Sequence, residues 1–425
     1  MLALRQSAGL GAIQSSAAFV LEFRDVGSGA VDTNVTYGYG VPTFTRATTA
    51  TTVLSTGLIG SVASGTARSY YDPATLVYQG YLAEGARTNL CLRSEDFTLA
   101  WAAVGTPTNS GTTTCGIVTL QQIGDDSAAA LEGYTQTITF TADATKSISI
   151  LVSQGTSTSS IIRLRDTTAP ADRLLAAVTW SGAVPVVTMT TGTDLTGTPQ
   201  QYGTSGVYRL SFLTTSVTAA NTNSLQVYPA TDAALEVSNT GTIYAGGVQA
   251  EDAVFTSSYI PTAAATVARN ADALTYPITG WYNAVEGTLF AEATTNGNAT
   301  ALTLNQTTVQ LDDGTVNERI LLYRPLSTSN CGFAVLDGGA AQAAIAQAGW
   351  GANTTSKLAA VYKANDFALS ANGLAVSTDV AGTLPTVTLL RIGSSVGADS
   401  MFSPIRRVAY FNTRLANATQ QAMAA

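Results

Sequence analysis

The stretch "KSISILVS", Lys146–Ser153, places Ile148, Ile150 and Val152 on one side and Ser147, Ser149 and Ser153 on the other. A period of two belongs to a pleated strand with one buried face. The same alternation spreads outward. In "TQTITFTA", Thr135–Ala142, Ile138 and Phe140 point one way and the threonines the other. "VYRLSFLT", Val207–Thr214, aligns Tyr208, Leu210 and Phe212, and "SLQVYPA" and "TIYAGGVQAE" follow. Half-buried strands at this spacing, with no helical stretch between them, predict an antiparallel sandwich or jelly roll. "ADRLLAAV", from Ala171, fits either a buried strand or one helical turn.

The flanking segments carry the same signature. Residues 21–90 read as short strands and turns, including "FVLEF", "VPTFTRATTATTVL" and "LVYQGYLAEG", with Asp72-Pro73 opening a turn. Residues 263–425 contain the strand-like runs "EGTLFAEAT", "ERILLYR", "GFAVLD", "VTLLRIGS" and "RRVAYFNTRL". Asn372-Gly373 is a two-residue hairpin signal. "NATQQAMAA" predicts a final helix capped by Asn417 or Thr413. The expected plan is all-β: an attachment arm over 1–20, a small β segment over 21–90, a jelly roll over 91–262 and a second sandwich over 263–425, in tandem.

Composition narrows the function. Hydrophobic residues make up 45% of the 425 residues and charged ones 11%; the polar remainder is rich in Thr and Ser. Threonine suits the wet face of a sheet. A net charge of −8 and no run of three basic residues argue against nucleic acid as a partner. No apolar run is long enough for a membrane span, and the N-terminus lacks the compact apolar core of a signal peptide. The triplet Asn298-Ala-Thr300 therefore carries no expectation of glycosylation. Cys91, Cys115 and Cys331 are far apart and odd in number, which predicts buried reduced thiols. Histidine is absent, removing the commonest general base and metal ligand. No cofactor is expected.

Charge is concentrated in one place. "GARTNLCLRSEDFTLAW", Gly85–Trp101, gathers Arg87, Arg93, Glu95 and Asp96 among Leu90, Leu92, Phe97 and Trp101. Leu90 and Leu92 alternate with Cys91 and Arg93 as in a strand, and "SEDF" has turn chemistry. This stretch, with "FTRATTATTV" before it and "YAGGVQAEDAVFTSSYIPTAAATVARNADAL" after it, resembles the modular proteins of tailed-bacteriophage particles, the tail fibres and head fibres. In that resemblance the first stretch enters a carbohydrate-binding-like jelly roll and the last leaves it. The run from "GTLFAEAT" to "IRRVAYFNTRLANATQQAM" resembles a laminin-G or concanavalin-like lectin sandwich. Arg46, Arg87, Arg93, Glu95, Asp96 and Arg269 are then expected to form a structural junction, buried Arg–carboxylate pairs being a common way to fix one. Asn270 replaces the small residue usual after Arg269 in that pattern.

The resemblance implies a non-enzymatic protein on the virion surface, made in the host cytoplasm. It is expected to be a homotrimer attached through its N-terminal arm to another virion protein and touching host glycans. A head-fibre or decoration protein and a polysaccharide-degrading spike are the alternatives. The doublets Glu95-Asp96, Asp125-Asp126, Glu251-Asp252 and Asp312-Asp313 do not supply a glycosidase pair, because adjacent strand residues face opposite ways. "LDDGTVNERI" reads as a hairpin turn, with a Ca²⁺ site at Asp312-Asp313 as its alternative. For sugars, the candidates are Trp350, Tyr323 and Asn353, with Trp281 and Tyr282; Trp350 sits in the Gly-rich "AGWGANTT". Core packing is the competing role for each of these rings, and for Trp101 and Trp180.

Overall fold

The computed structural model describes residues 17–38, 40–295, 305–326, 328–351, 353–396 and 399–425. Residues 1–16 of the attachment arm expected over 1–20, and the triplet at 298–300, lie outside them. The regular structure of the described chain is all strand apart from one short helix, Asn417–Met423.

Strands between Ala102 and Glu251 form two six-stranded antiparallel sheets. One sheet centres on Asn223–Tyr228 and Ser159–Asp166, the other on Gly241–Glu251 and Ser147–Gln154. The alternation has its predicted result. Ile138, Phe140, Ile148, Ile150, Val152, Tyr208, Leu210 and Phe212 share one core with Trp101. The ambiguous "ADRLLAAV" lies in an eleven-residue strand, Ala171–Ser181, paired on both sides.

The second sandwich has a different make-up from the expected one. Residues 21–90 are not a separate small unit, and Phe19 does not belong to an arm. Phe19–Glu22 pairs with Ser403–Phe411, which also accepts Tyr78–Ala83 along its far end. Thr43–Thr45 pairs with Ala273–Pro277 in the opposing seven-stranded sheet. The N-terminal strands thus complete both sheets of the C-terminal sandwich, and the jelly roll is an insertion into it rather than its predecessor in tandem. The physical reason is burial. Phe19, Leu21, Tyr81 and Ala83 join Leu289, Leu358, Val408 and Tyr410 in one core, and a strand buried on both faces needs partners on both edges.

Local signals behave as read, with one exception. Asp72 accepts the amides of Ala74 (3.1 Å) and Thr75 (2.7 Å). Asn372 and Gly373 both have positive φ, 49° and 73°, as a two-residue turn of this hand requires. The helix, however, is preceded by Ala416 with no side-chain cap. Asn417 is occupied by Arg414, whose Nη1 donates to its Oδ1 at 2.6 Å. The helix is held by Gln420, which is buried and donates to the carbonyls of Ala359 (2.7 Å) and Ala368 (3.0 Å). All three cysteines are free and buried, and burial pushes the Cys331 thiol up to about 12.

Candidate ligand-binding cleft at the junction of the sandwiches

The chain enters and leaves the inserted jelly roll side by side. Arg87–Asn89 pairs with Val267–Arg269 in an isolated two-stranded neck. Here the strand ends at Asn89, so Leu90 and Leu92 do not continue it; Cys91 is buried in the core and Leu90 packs partly against it. Buried amides take over the backbone bonding. Asn89 donates to Val248 O (3.0 Å) and Ile260 O (2.9 Å) and accepts from the amides of Cys91 (3.0 Å) and Ala250 (3.1 Å). Gln136 does the same for Leu92, accepting its amide at 2.7 Å and donating to its carbonyl at 2.9 Å. On the exit side, Gln249 accepts the amide of Ile260 at 2.7 Å and Glu251 the amide of Ser257 at 3.0 Å.

Behind the neck lies a buried charge lock. Asp272 binds Arg46 Nη1 at 2.8 Å and Arg68 Nη2 at 2.5 Å. Glu84 binds Arg68 Nη1 at 2.8 Å and Arg269 Nη1 at 2.7 Å. Ser258, from the jelly-roll exit, donates through its amide (2.8 Å) and hydroxyl (2.6 Å) to Glu84. Arg46 and Arg269 also donate to the carbonyls of Ala63 (2.7 Å) and Gly85 (2.6 Å). All five charged side chains are buried. Burial alone would push the Glu84 carboxyl up, but Arg269 and Arg68 with the Ser258 donors outweigh it and hold it at about 2. Glu84 is therefore ionised, and committed to structure, at any physiological pH.

The expected junction set divides on inspection. Arg46 and Arg269 are in the lock. Arg87 lies beside it, 4.0 Å from Glu251 and over the rings of Phe255 and Phe402. Glu95 accepts from Thr119 N and Tyr259 Oη, both at 2.8 Å. Asp96 caps its own turn through Thr98 N at 2.9 Å. Arg93 departs from the expectation: its side chain meets no carboxylate within ion-pair distance among the described residues. Its contribution is a left-handed backbone turn (φ 48°) whose amide donates to Ala263 O at 2.8 Å. Asn270 is exposed, and its amide donates to Thr48 Oγ1 at 2.9 Å. Sequence reasoning missed Arg68, Glu84 and Asp272, although "GYLAEG" and "NADAL" each set one acid among apolar neighbours.

A hairpin, Ala50–Val53 with Ile59–Val62, reaches from this lock onto the outside of the jelly roll. Val53 and Ile59 pack there with Val118, Leu120, Leu151, Tyr202 and Val207. Backbones nearly touch at two points. A Cβ on Gly116 would sit 2.0 Å from Ile59 O, and one on Gly203 2.4 Å from Thr56 O. Only glycine fits such approaches.

The hairpin, the jelly roll and the second sandwich together enclose a cleft of about 400 Å³. Its walls include Tyr70, Asp72, Gln79, Thr198, Gln200, Tyr202 and Arg209, with Ser258 and Glu84 of the lock behind. Thr198 and Gln200 are exposed and, like the Tyr70 hydroxyl, make no side-chain hydrogen bond among the described residues. Burial, with Tyr202 and Asp72 close by, drives the Tyr70 phenol well up. Burial also raises Tyr202, against the pull of Arg209. Both hydroxyls stay neutral and can donate.

The aromatic residues singled out for sugar lie elsewhere. Trp350 is fully buried in the second core rather than standing clear of a loop, and Trp281 is buried there too, stacked on Phe19. Tyr282 packs on Tyr362 and Tyr410, and half-buried Tyr323 lies across Gly332. A ring of this size removes more surface by packing between two sheets than by sitting in a turn. Asn353 alone of the five lines the cleft. The Asp312 carboxylate is taken by Arg391 Nε (2.7 Å), Gln310 Nε2 (2.9 Å) and Gly314 N (2.8 Å), and that of Asp313 by Thr315. The turn reading of this doublet, not the Ca²⁺ one, accounts for those bonds. No group of three or more metal-ligating side chains occurs among the described residues.

No family model matches the chain, and no curated protein matches it. Among solved structures it is similar to the CBM40 of Ruminococcus gnavus IT-sialidase bound to α2,6-sialyllactose, at 14% identity and TM-score 0.29, over 34% of this chain and 85% of that one. It is similar to domains LG4-5 of the mouse laminin α1 chain at 11% identity and TM-score 0.22, over 79% and 91%. It is similar to Trypanosoma rangeli sialidase in complex with sialic acid at 9% identity and TM-score 0.26, over 99% and 80%. At these scores the likenesses say nothing of what this chain binds.

Proposed function

We propose that the protein is a non-enzymatic structural protein of a bacteriophage particle, a fibre-like module that holds host-surface glycan in the cleft between its two sandwiches. The cleft carries the reading. Thr, Gln and Tyr side chains from three segments converge on one concave polar site, and directional hydrogen bonds on a preformed wall are what a saccharide uses. The phage assignment is supported by the neck. Asn89, Glu95, Gln249, Glu251 and Arg269, which lie in the motifs behind the resemblance, hold the jelly roll in place. Of the two carboxylates in the wall, Glu84 is ionised and held by arginines. Asp72 turns one oxygen inward to its own turn. Neither is arranged as half of an acid–base pair.

Weak individual sites gain from repetition, so a symmetric trimer attached to another virion protein through the arm would supply avidity. A glycan array probed with the intact protein and with Tyr70→Ala tests this reading. Binding by the wild type, lost in a variant that melts normally, is expected. No binding, or release of reducing ends from host polysaccharide, overturns it. Antibody labelling of intact particles separates a tail fibre from a head fibre.

A further inference from the structure

Resting on that cleft, we propose that the saccharide it takes is acidic, with a sugar carboxylate bound by Arg209 and Tyr202. Arg209 is the one cation in the cleft wall among the described residues. It forms no ion pair with any carboxylate among the described residues, whereas each arginine of the lock does. Its Nη2 donates to Ser149 Oγ at 2.9 Å, and its enclosed Nε has no partner. Tyr202 lines the same wall, and the Arg209 charge acts on its hydroxyl. A half-buried guanidinium without an anion is an unmet demand, and its planar fork matches a carboxylate.

The other charges at the site leave that demand in place. Glu84 is neutralised by Arg68 and Arg269. Asp72 is the other carboxylate of the wall, and its Oδ1 is already engaged by Ala74 N, Thr75 N and Thr75 Oγ1. Tyr70, Gln200 and Thr198 remain for ring hydroxyls. The volume falls within the range of small-ligand sites, roughly 300–1,000 Å³. With a net charge of −8 on the whole chain, long-range steering opposes an acidic ligand. Recognition must then come from this local cation.

The test uses short acidic saccharides (oligogalacturonate, oligomannuronate and oligosialate) beside their methyl-esterified forms, titrated calorimetrically into the full chain. The wild type is expected to bind at least one acid and to bind its ester about 10- to 100-fold more weakly, as loss of a charged hydrogen bond implies. Arg209→Gln should lose the same factor for the acid and leave the ester unchanged. Tyr70→Phe should weaken both forms alike. An unchanged melting temperature in Arg209→Gln excludes a folding effect. Equal binding of acid and ester by the wild type sinks the carboxylate assignment while leaving the cleft as a sugar site. No binding of either form sinks both.

Discussion

Arg68 ties the two acids of the lock together, bonding Asp272 through one nitrogen and Glu84 through the other with no solvent exposure. Removing it leaves two buried carboxylates sharing fewer cations. Breaking a buried pair in this way costs about 3–5 kcal/mol. Arg68→Ala is therefore expected to melt well below the wild type by calorimetry, while Arg93→Ala loses little because the half-buried Arg93 acts through its backbone. Trp350→Ala should cost a comparable amount, about 3–5 kcal/mol, through the cavity it leaves. If that variant stayed as stable as the wild type and lost only glycan binding, the burial of Trp350 would be refuted.

At the scale of elements, the two-stranded neck makes a prediction about excision. Asn89 and Val267 face each other across it, about 5 Å apart as antiparallel partners are. A chain in which residues 91–265 are replaced by a short glycine linker should retain a folded sandwich. All the strands of that sandwich lie outside the deleted segment. Residues 263–425 alone should fail to fold, lacking Phe19–Glu22, Tyr78–Ala83 and Thr43–Thr45. Circular dichroism and thermal melts of the two products distinguish an insertion from a tandem array. A soluble, cooperatively melting 263–425 fragment would restore the tandem plan.

For the whole molecule, the lock couples the sandwiches and makes their union sensitive to acid. Folded Glu84 titrates at about 2, below the value near 4.3 of an unfolded glutamate. Its contribution is thus complete above about pH 4.5 and is lost as pH falls toward 2. Melting temperature is expected to decline through that window, and Glu84→Gln to be less stable at neutral pH with a shallower acid decline. An identical acid profile in the variant would mean that other carboxylates set it.

The sequence by itself determined the class of this protein and the place of its junction. Alternation in "KSISILVS" and "VYRLSFLT" is local, needing only the period of a strand and one buried face, so it is legible without knowing what lies opposite. Arg46 and Arg269 were legible because charge is scarce here and both stand in motif contexts. Tertiary structure alone decided which strands share a sheet. Pairing of Phe19–Glu22 with Ser403–Phe411 spans almost the whole chain, and hydrogen-bond register over that distance leaves no trace in periodicity. It decided also that Trp350 is core and that Arg209 faces a cleft. A ring or a guanidinium looks the same in sequence whether it is covered or open. What covers it arrives from residues hundreds of positions away, through burial that no local pattern encodes.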